Sequence, residues 1–95
     1  MKLVWTRLAL KDIDSAYSYV AEENPCAAAR MVERIKKAVV AIGRHSELGR
    51  CGRIEGSREL IVPGTPFIIT YRVKGKEVEL LAVIHSARRW PDQLH

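Results

Sequence analysis

Arg58-Glu59-Leu60-Ile61-Val62, Pro63-Gly64-Thr65-Pro66, Phe67-Ile68-Ile69-Thr70-Tyr71-Arg72-Val73, Gly75-Lys76 and Val78-Glu79-Leu80-Leu81-Ala82-Val83-Ile84 follow one another almost without interruption. The runs from Arg58 and from Phe67 alternate in side-chain character and are dense in β-branched and aromatic residues, as in strands with one better buried face. The run from Val78 is apolar nearly throughout and predicts a central strand covered on both faces. A short corner and a Gly-containing turn leave no room for a crossover, so the neighbours must be antiparallel. The result is a three-stranded meander that runs on into the basic and aromatic stretch His85-Ser86-Ala87-Arg88-Arg89-Trp90-Pro91.

Upstream, Leu3-Val4-Trp5 is a short apolar run, read as an edge strand that joins the later sheet. Thr6 can cap the helix that follows by accepting a bond from a first-turn N–H. Leu10, Ile13, Tyr17 and Val20 recur at helical spacing and define its apolar face. Asn24-Pro25 stops this helix and starts the next. That second helix, from Pro25 to about Arg44, carries Ala28, Met31, Val32, Ile35, Ala38, Val39 and Ile42 on one broad stripe. Glu33 and Lys37 stand in the favourable order for a pair worth about 0.3 kcal/mol, and Gly43 is placed to end the helix in a left-handed cap. His45 to Ser57 reads as the one long irregular stretch, either mobile or used. The class is α+β: an N-terminal edge strand and an antiparallel helical hairpin packed on a mainly antiparallel sheet, which the meander completes.

Ninety-five residues form a single domain, 1–95, burying roughly two-thirds of the surface its unfolded chain exposes, with room for one core. The net charge is +5, and arginines and lysines gather around Arg44 to Arg58 and again around Arg72 to Lys76 and Arg88-Arg89. Such a surface suits an anionic partner, nucleic acid or an acidic protein segment; it also serves solubility alone. No apolar run approaches a membrane span or a signal-peptide core, which points to a cytoplasmic protein with no membrane partner. Cys26, in the first turn of a helix, and Cys51, in a loop, lack the close pairing of metal or redox motifs and read as free thiols.

No metal-ligand spacing surrounds His45, His85 or His95, no serine sits in a nucleophile elbow, and no phosphate-cradling glycine loop is present, so no cofactor is expected. The remaining chemistry is general acid–base work on a phosphodiester by His85, with Arg58, Arg88 or Arg89 neutralising the developing charge. Against it stands a structural role, with His85 satisfied by a backbone carbonyl and the arginines as surface charge. Trp90 beside two arginines can anchor an interface, stack on a base, or cover the open end of the core.

The order of elements, the Arg58-Glu59-Leu60 strand opening, the Gly64 corner, Tyr71-Arg72-Val73 and the strand running into His85-Ser86-Ala87-Arg88-Arg89 together resemble the RelE/ParE superfamily of toxins from bacterial type II toxin-antitoxin modules. The resemblance covers almost the whole chain and is sharpest over 57–91. It implies a microbial-RNase-like α+β fold, a cognate antitoxin, and a toxin–antitoxin hetero-oligomer. It also implies one of two activities hosted on different residues: ribosome-dependent cleavage of messenger RNA, or inhibition of DNA gyrase with growth arrest. In the cutting members an Arg commonly precedes the strand Tyr by three positions; here that position is Ile68. Loss of such a charge-stabilising group typically costs about 100-fold or more. The terminal His-x-x-Arg-Arg pattern is also closer to the ParE type, whose role is plasmid stabilisation through gyrase poisoning. The expectation is therefore a non-enzymatic gyrase inhibitor contacting its target or partner through Arg58, Arg72, Arg88, Arg89 and Trp90. The alternative is an endoribonuclease using Arg58, His85 and Arg89, and a third reading is a degenerate toxin that binds only its antitoxin.

Overall fold

A computed structural model describes residues 1–87. Its elements are β1 (Lys2–Trp5), α1 (Arg7–Ala21), α2 (Pro25–Arg44), β2 (Arg50–Cys51), β3 (Arg58–Ile61), β4 (Phe67–Lys74) and β5 (Glu77–His85). The five strands form one sheet in the order β1-β5-β4-β3-β2. β3, β4 and β5 are the antiparallel meander, and β1 lies parallel to β5 at the edge, Leu3 opposite Val78 and Trp5 opposite Leu80. The α+β class and the strand–hairpin–meander order are as read from the sequence.

The helix starts follow local chemistry. Thr6 Oγ1 accepts from Ala9 N–H at 3.2 Å and its hydroxyl donates to the Leu80 carbonyl at 2.7 Å, so one residue both caps α1 and ties it to β5. Asn24 Oδ1 accepts from Ala27 N–H at 3.0 Å with Pro25 in the first turn of α2. α2 then buries the predicted stripe, including Met31, Ile35, Val39 and Ile42, against the sheet residues Ile69, Tyr71, Val78 and Leu80.

Four local expectations are corrected. The apolar face of α1 is not the one drawn through Leu10 and Tyr17, which are exposed; Ala9 and Ala16 are buried and Ile13 and Val20 pack beside them. Small side chains let the helix approach the sheet closely, and the bulky residues one position over are left to solvent. Gly43 does not cap α2. It lies inside the helix, and a Cβ there would sit 3.3 Å from Leu3 Cδ2, so its bare backbone seats β1 against the helix. Glu33 and Lys37 form no ion pair. Finally, 45–57 is not irregular throughout: Arg50–Cys51 pairs with β3 as a short edge strand.

The sheet is covered more evenly than an alternating pattern implies. Phe67 to Tyr71 are buried in succession. Phe67, Ile69 and Tyr71 join the core under the helices, and on the opposite face Leu81, Ala82 and Ile84 pack with Leu8 and Ile54. The extra β5 residue, Leu81, falls at a bulge where Thr70 pairs with Ala82 but Tyr71 with Leu80. Gly75, at φ +61, makes the tight β4–β5 turn.

Candidate functional site

The residues proposed for chemistry fall into separate places. Arg58 opens β3 opposite Tyr71. Its Nη1 donates to the carbonyls of Gly49, at 2.7 Å, and Glu47, at 3.4 Å. The Tyr71 hydroxyl, fully buried, accepts from Gly49 N–H at 2.8 Å and donates to the Ser46 carbonyl at 2.7 Å. Gly49 fits there because a Cβ would fall 2.7 Å from the Tyr71 oxygen. Burial raises the Tyr71 pKa above its ordinary value, against the opposing pull of the Gly49 N–H and the Arg58 charge. Arg58 and Tyr71 thus clamp the turn after α2 to the sheet.

His85 ends β5 opposite Phe67, with the rings edge to face at 5.3 Å. Its Nδ1 accepts from Ala87 N–H at 3.1 Å. An acceptor Nδ1 leaves the proton of the neutral ring on Nε2. The backbone partner is therefore an N–H, where the sequence suggested a carbonyl. His85 is level with Phe67 and Arg58 with Tyr71, four residues along β4, or roughly 13 Å at strand spacing. Two strand intervals also separate them across the sheet, so Arg58 and His85 are not brought together.

Arg72 points from the opposite face to Tyr71 and is paired with Glu79. Beside it, Glu59 is a buried carboxylate whose Oε2 accepts from Arg53 N–H at 2.7 Å while Oε1 faces Arg50 Nη2 at 3.7 Å. Arg88, Arg89 and Trp90 lie outside the described residues. Cys26 and Cys51 are free and exposed. No described helix is long and apolar enough to cross a membrane.

Two of the hollows among the described residues border α2. One, of about 610 Å³, runs between α2 and β3 over Ala38, Ala41, Leu60 and Ile61, with Arg34 and Lys37 at its rim. The other, of about 350 Å³, lies between the helical hairpin and the Pro63–Pro66 corner, over Val20, Met31 and Phe67, with Arg30, Arg34 and His85 around it. Neither has a carboxylate among its described lining residues. The available signal was the basic band Arg30, Arg34 and Lys37 at spacings of four and three beside the α2 stripe.

Comparison with known proteins agrees with this architecture. The family described as the ParE toxin of the type II toxin-antitoxin system parDE matches residues 3–90. A Sinorhizobium fredii relative, Y4kP, is 41% identical over 93 residues, 98% of this chain and 96% of its own. Toxin RelE2 of Caulobacter vibrioides is 32% identical over 87 residues, covering 92% and 97%. A solved structure from the chromosomal ParDE system of P. aeruginosa superposes with a TM-score of 0.82 at 34% identity, covering 90% of this chain and 95% of that one. The relatives carry both ParE and RelE names, so names alone do not divide the two activities. With a family match that spans nearly its whole length, a fold shared with a ParDE protein and the expected helical hairpin over a meander, this chain belongs to the ParE toxin family of type II toxin-antitoxin systems.

Proposed function

We propose that this toxin arrests growth by binding DNA gyrase and trapping it on DNA, and that it cuts no RNA. One observation carries the reading: Arg58 and His85, the described groups an RNA-cutting site would need, are apart, and Arg58 is already engaged. General acid–base cleavage requires the proton-transfer and charge-stabilising groups within hydrogen-bond reach of one phosphate. Arg58 instead holds the carbonyls of Glu47 and Gly49, and His85 stands at the far end of the meander. Ile68, where the cutting relatives carry an Arg, is buried at 4% exposure. A binding toxin needs none of that set, and the net charge of +5, with Arg72, Arg88, Arg89 and Trp90 as contacts, suits a large anionic gyrase–DNA target.

A type II module implies a cognate antitoxin. The α2–β3 groove, apolar below and cationic at the rim, fits an antitoxin segment with apolar anchors and acidic flanks.

His85→Ala tests the choice of mechanism. Induced without antitoxin, the variant is expected to arrest growth as the parent does, because His85 performs no proton transfer in a gyrase-binding toxin. Loss of arrest in a variant that keeps its melting temperature would instead favour the ribosome-dependent endoribonuclease, with His85 as acid or base and Arg58 and Arg89 on the phosphate. A parent that never arrests growth would leave antitoxin binding as its role.

A further inference from the structure

The two hollows meet at the Arg34–Gly64 bridge. Arg34 and Gly64 line both. Arg34 reaches from α2 across to the corner, where its Nη1 donates to the Gly64 carbonyl at 3.1 Å. A Cβ on Gly64 would fall 1.8 Å from that nitrogen, so the bridge occupies the space a side chain would take. Gly64 also sits at φ +74, a conformation L side chains rarely adopt. Arg34 itself is exposed, and its single neutral acceptor uses only part of the guanidinium's donor capacity. A carboxylate can engage that fork bidentately, through two parallel N–H···O bonds and with opposite charge, where the carbonyl takes one.

We propose that Arg34 is a movable partition that selects the partner: an acidic residue of an antitoxin segment lying in the α2–β3 groove draws the guanidinium off Gly64 and opens the groove into the hairpin cleft. The apolar or aromatic side chain next to that acid then enters the cleft over Met31 and Phe67. Arg30, exposed at the cleft rim and without an ion pair among the described residues, supplies a second cation. Charge complementarity identifies the occupant. Arg30, Arg34 and Lys37 face the two hollows with no lining carboxylate to answer them, while the floors are apolar. This inference rests on the groove being the antitoxin site, and the test below separates failure of the one from failure of the other.

The probe is acetyl-Leu-Glu-Phe-amide, titrated into the isotopically labelled full chain beside its Gln counterpart and free phenylacetate, with NMR readout at the Arg34 side chain, the Gly64 amide and the Met31 and Ile61 methyls. The Glu peptide is expected to move the Arg34, Gly64 and Met31 signals saturably and to bind about tenfold more tightly than the Gln peptide. Arg34→Gln, at an exposed position that should not disturb folding, is expected to abolish that preference. Equal binding of the two peptides, or a preference that survives Arg34→Gln, overturns the proposal. Shifts at Ile61 without any at Met31 overturn the partition while leaving the groove reading intact, whereas no shift at either overturns both. Saturable shifts with phenylacetate alone identify a free organic acid and overturn the peptide occupant.

Discussion

Leu80→Ala is expected to destabilise the domain by about 3 kcal/mol, as deleting a fully buried leucine side chain does where the surroundings cannot close in. Leu80 is completely buried in the main core. Its position is held from several sides: it pairs with Trp5 of β1 and Tyr71 of β4, and its carbonyl accepts from both the Thr6 N–H and the Thr6 hydroxyl. The bulge at Leu81 fixes the register beside it. β5 therefore cannot slide to fill the space, and a cavity remains. For a domain of this size the melting temperature should drop by about 12–24 °C, measured by thermal unfolding followed by circular dichroism. A loss under about 1 kcal/mol would mean that the site collapses freely, contrary to the packing described.

Tyr71→Phe should cost about 2 kcal/mol although it removes a single oxygen. The phenol joins the Gly49 N–H to the Ser46 carbonyl, and Gly49 is buried, so the variant leaves the Gly49 N–H unpaired with little access to water and strips the half-buried Ser46 carbonyl of its donor. The same substitution has a pH signature. Because the folded pKa is raised, the folded protein holds the phenolic proton more tightly than the unfolded chain does. Stability from this source is fully present below the ordinary value of 10.0 and is lost as pH rises through the folded value. Denaturant melts of parent and variant from neutral pH to above 10 should therefore converge at the alkaline end. Every other ionisable group is common to both proteins and cancels in the difference. A gap between parent and variant that stays constant across the window would refute the account of the clamp.

The meander was legible because its connections are too short to allow anything but antiparallel neighbours, and the hairpin because Thr6, Asn24 and Pro25 mark its helix starts. Less could be read where the determinant is contact across the fold. Side-chain bulk pointed to Leu10 and Tyr17 as the buried face of α1, whereas the close packing of helix on sheet selects Ala9 and Ala16. Gly43 looks like a helix stop until Leu3 of β1 is brought against it. Arg50–Cys51 has no strand-like composition and becomes a strand only because β3 offers a free edge. At the site, Arg58 and His85 could be nominated from residue type, but their distance depends on the β3–β4–β5 register. The engagement of Arg58 and Tyr71 with the turn after α2 depends on it too. Arg34 was overlooked because its partner is a backbone carbonyl 30 residues away.

Gyrase inhibition is the decisive readout. Purified gyrase, relaxed plasmid and ATP are incubated with the toxin freed from antitoxin, and supercoiling and plasmid integrity are followed on gels. Supercoiling is expected to stop and cleaved plasmid to accumulate, with His85→Ala acting as the parent does. Normal supercoiling in the presence of folded toxin that arrests growth in cells would contradict gyrase poisoning and direct attention to ribosome-bound messenger RNA.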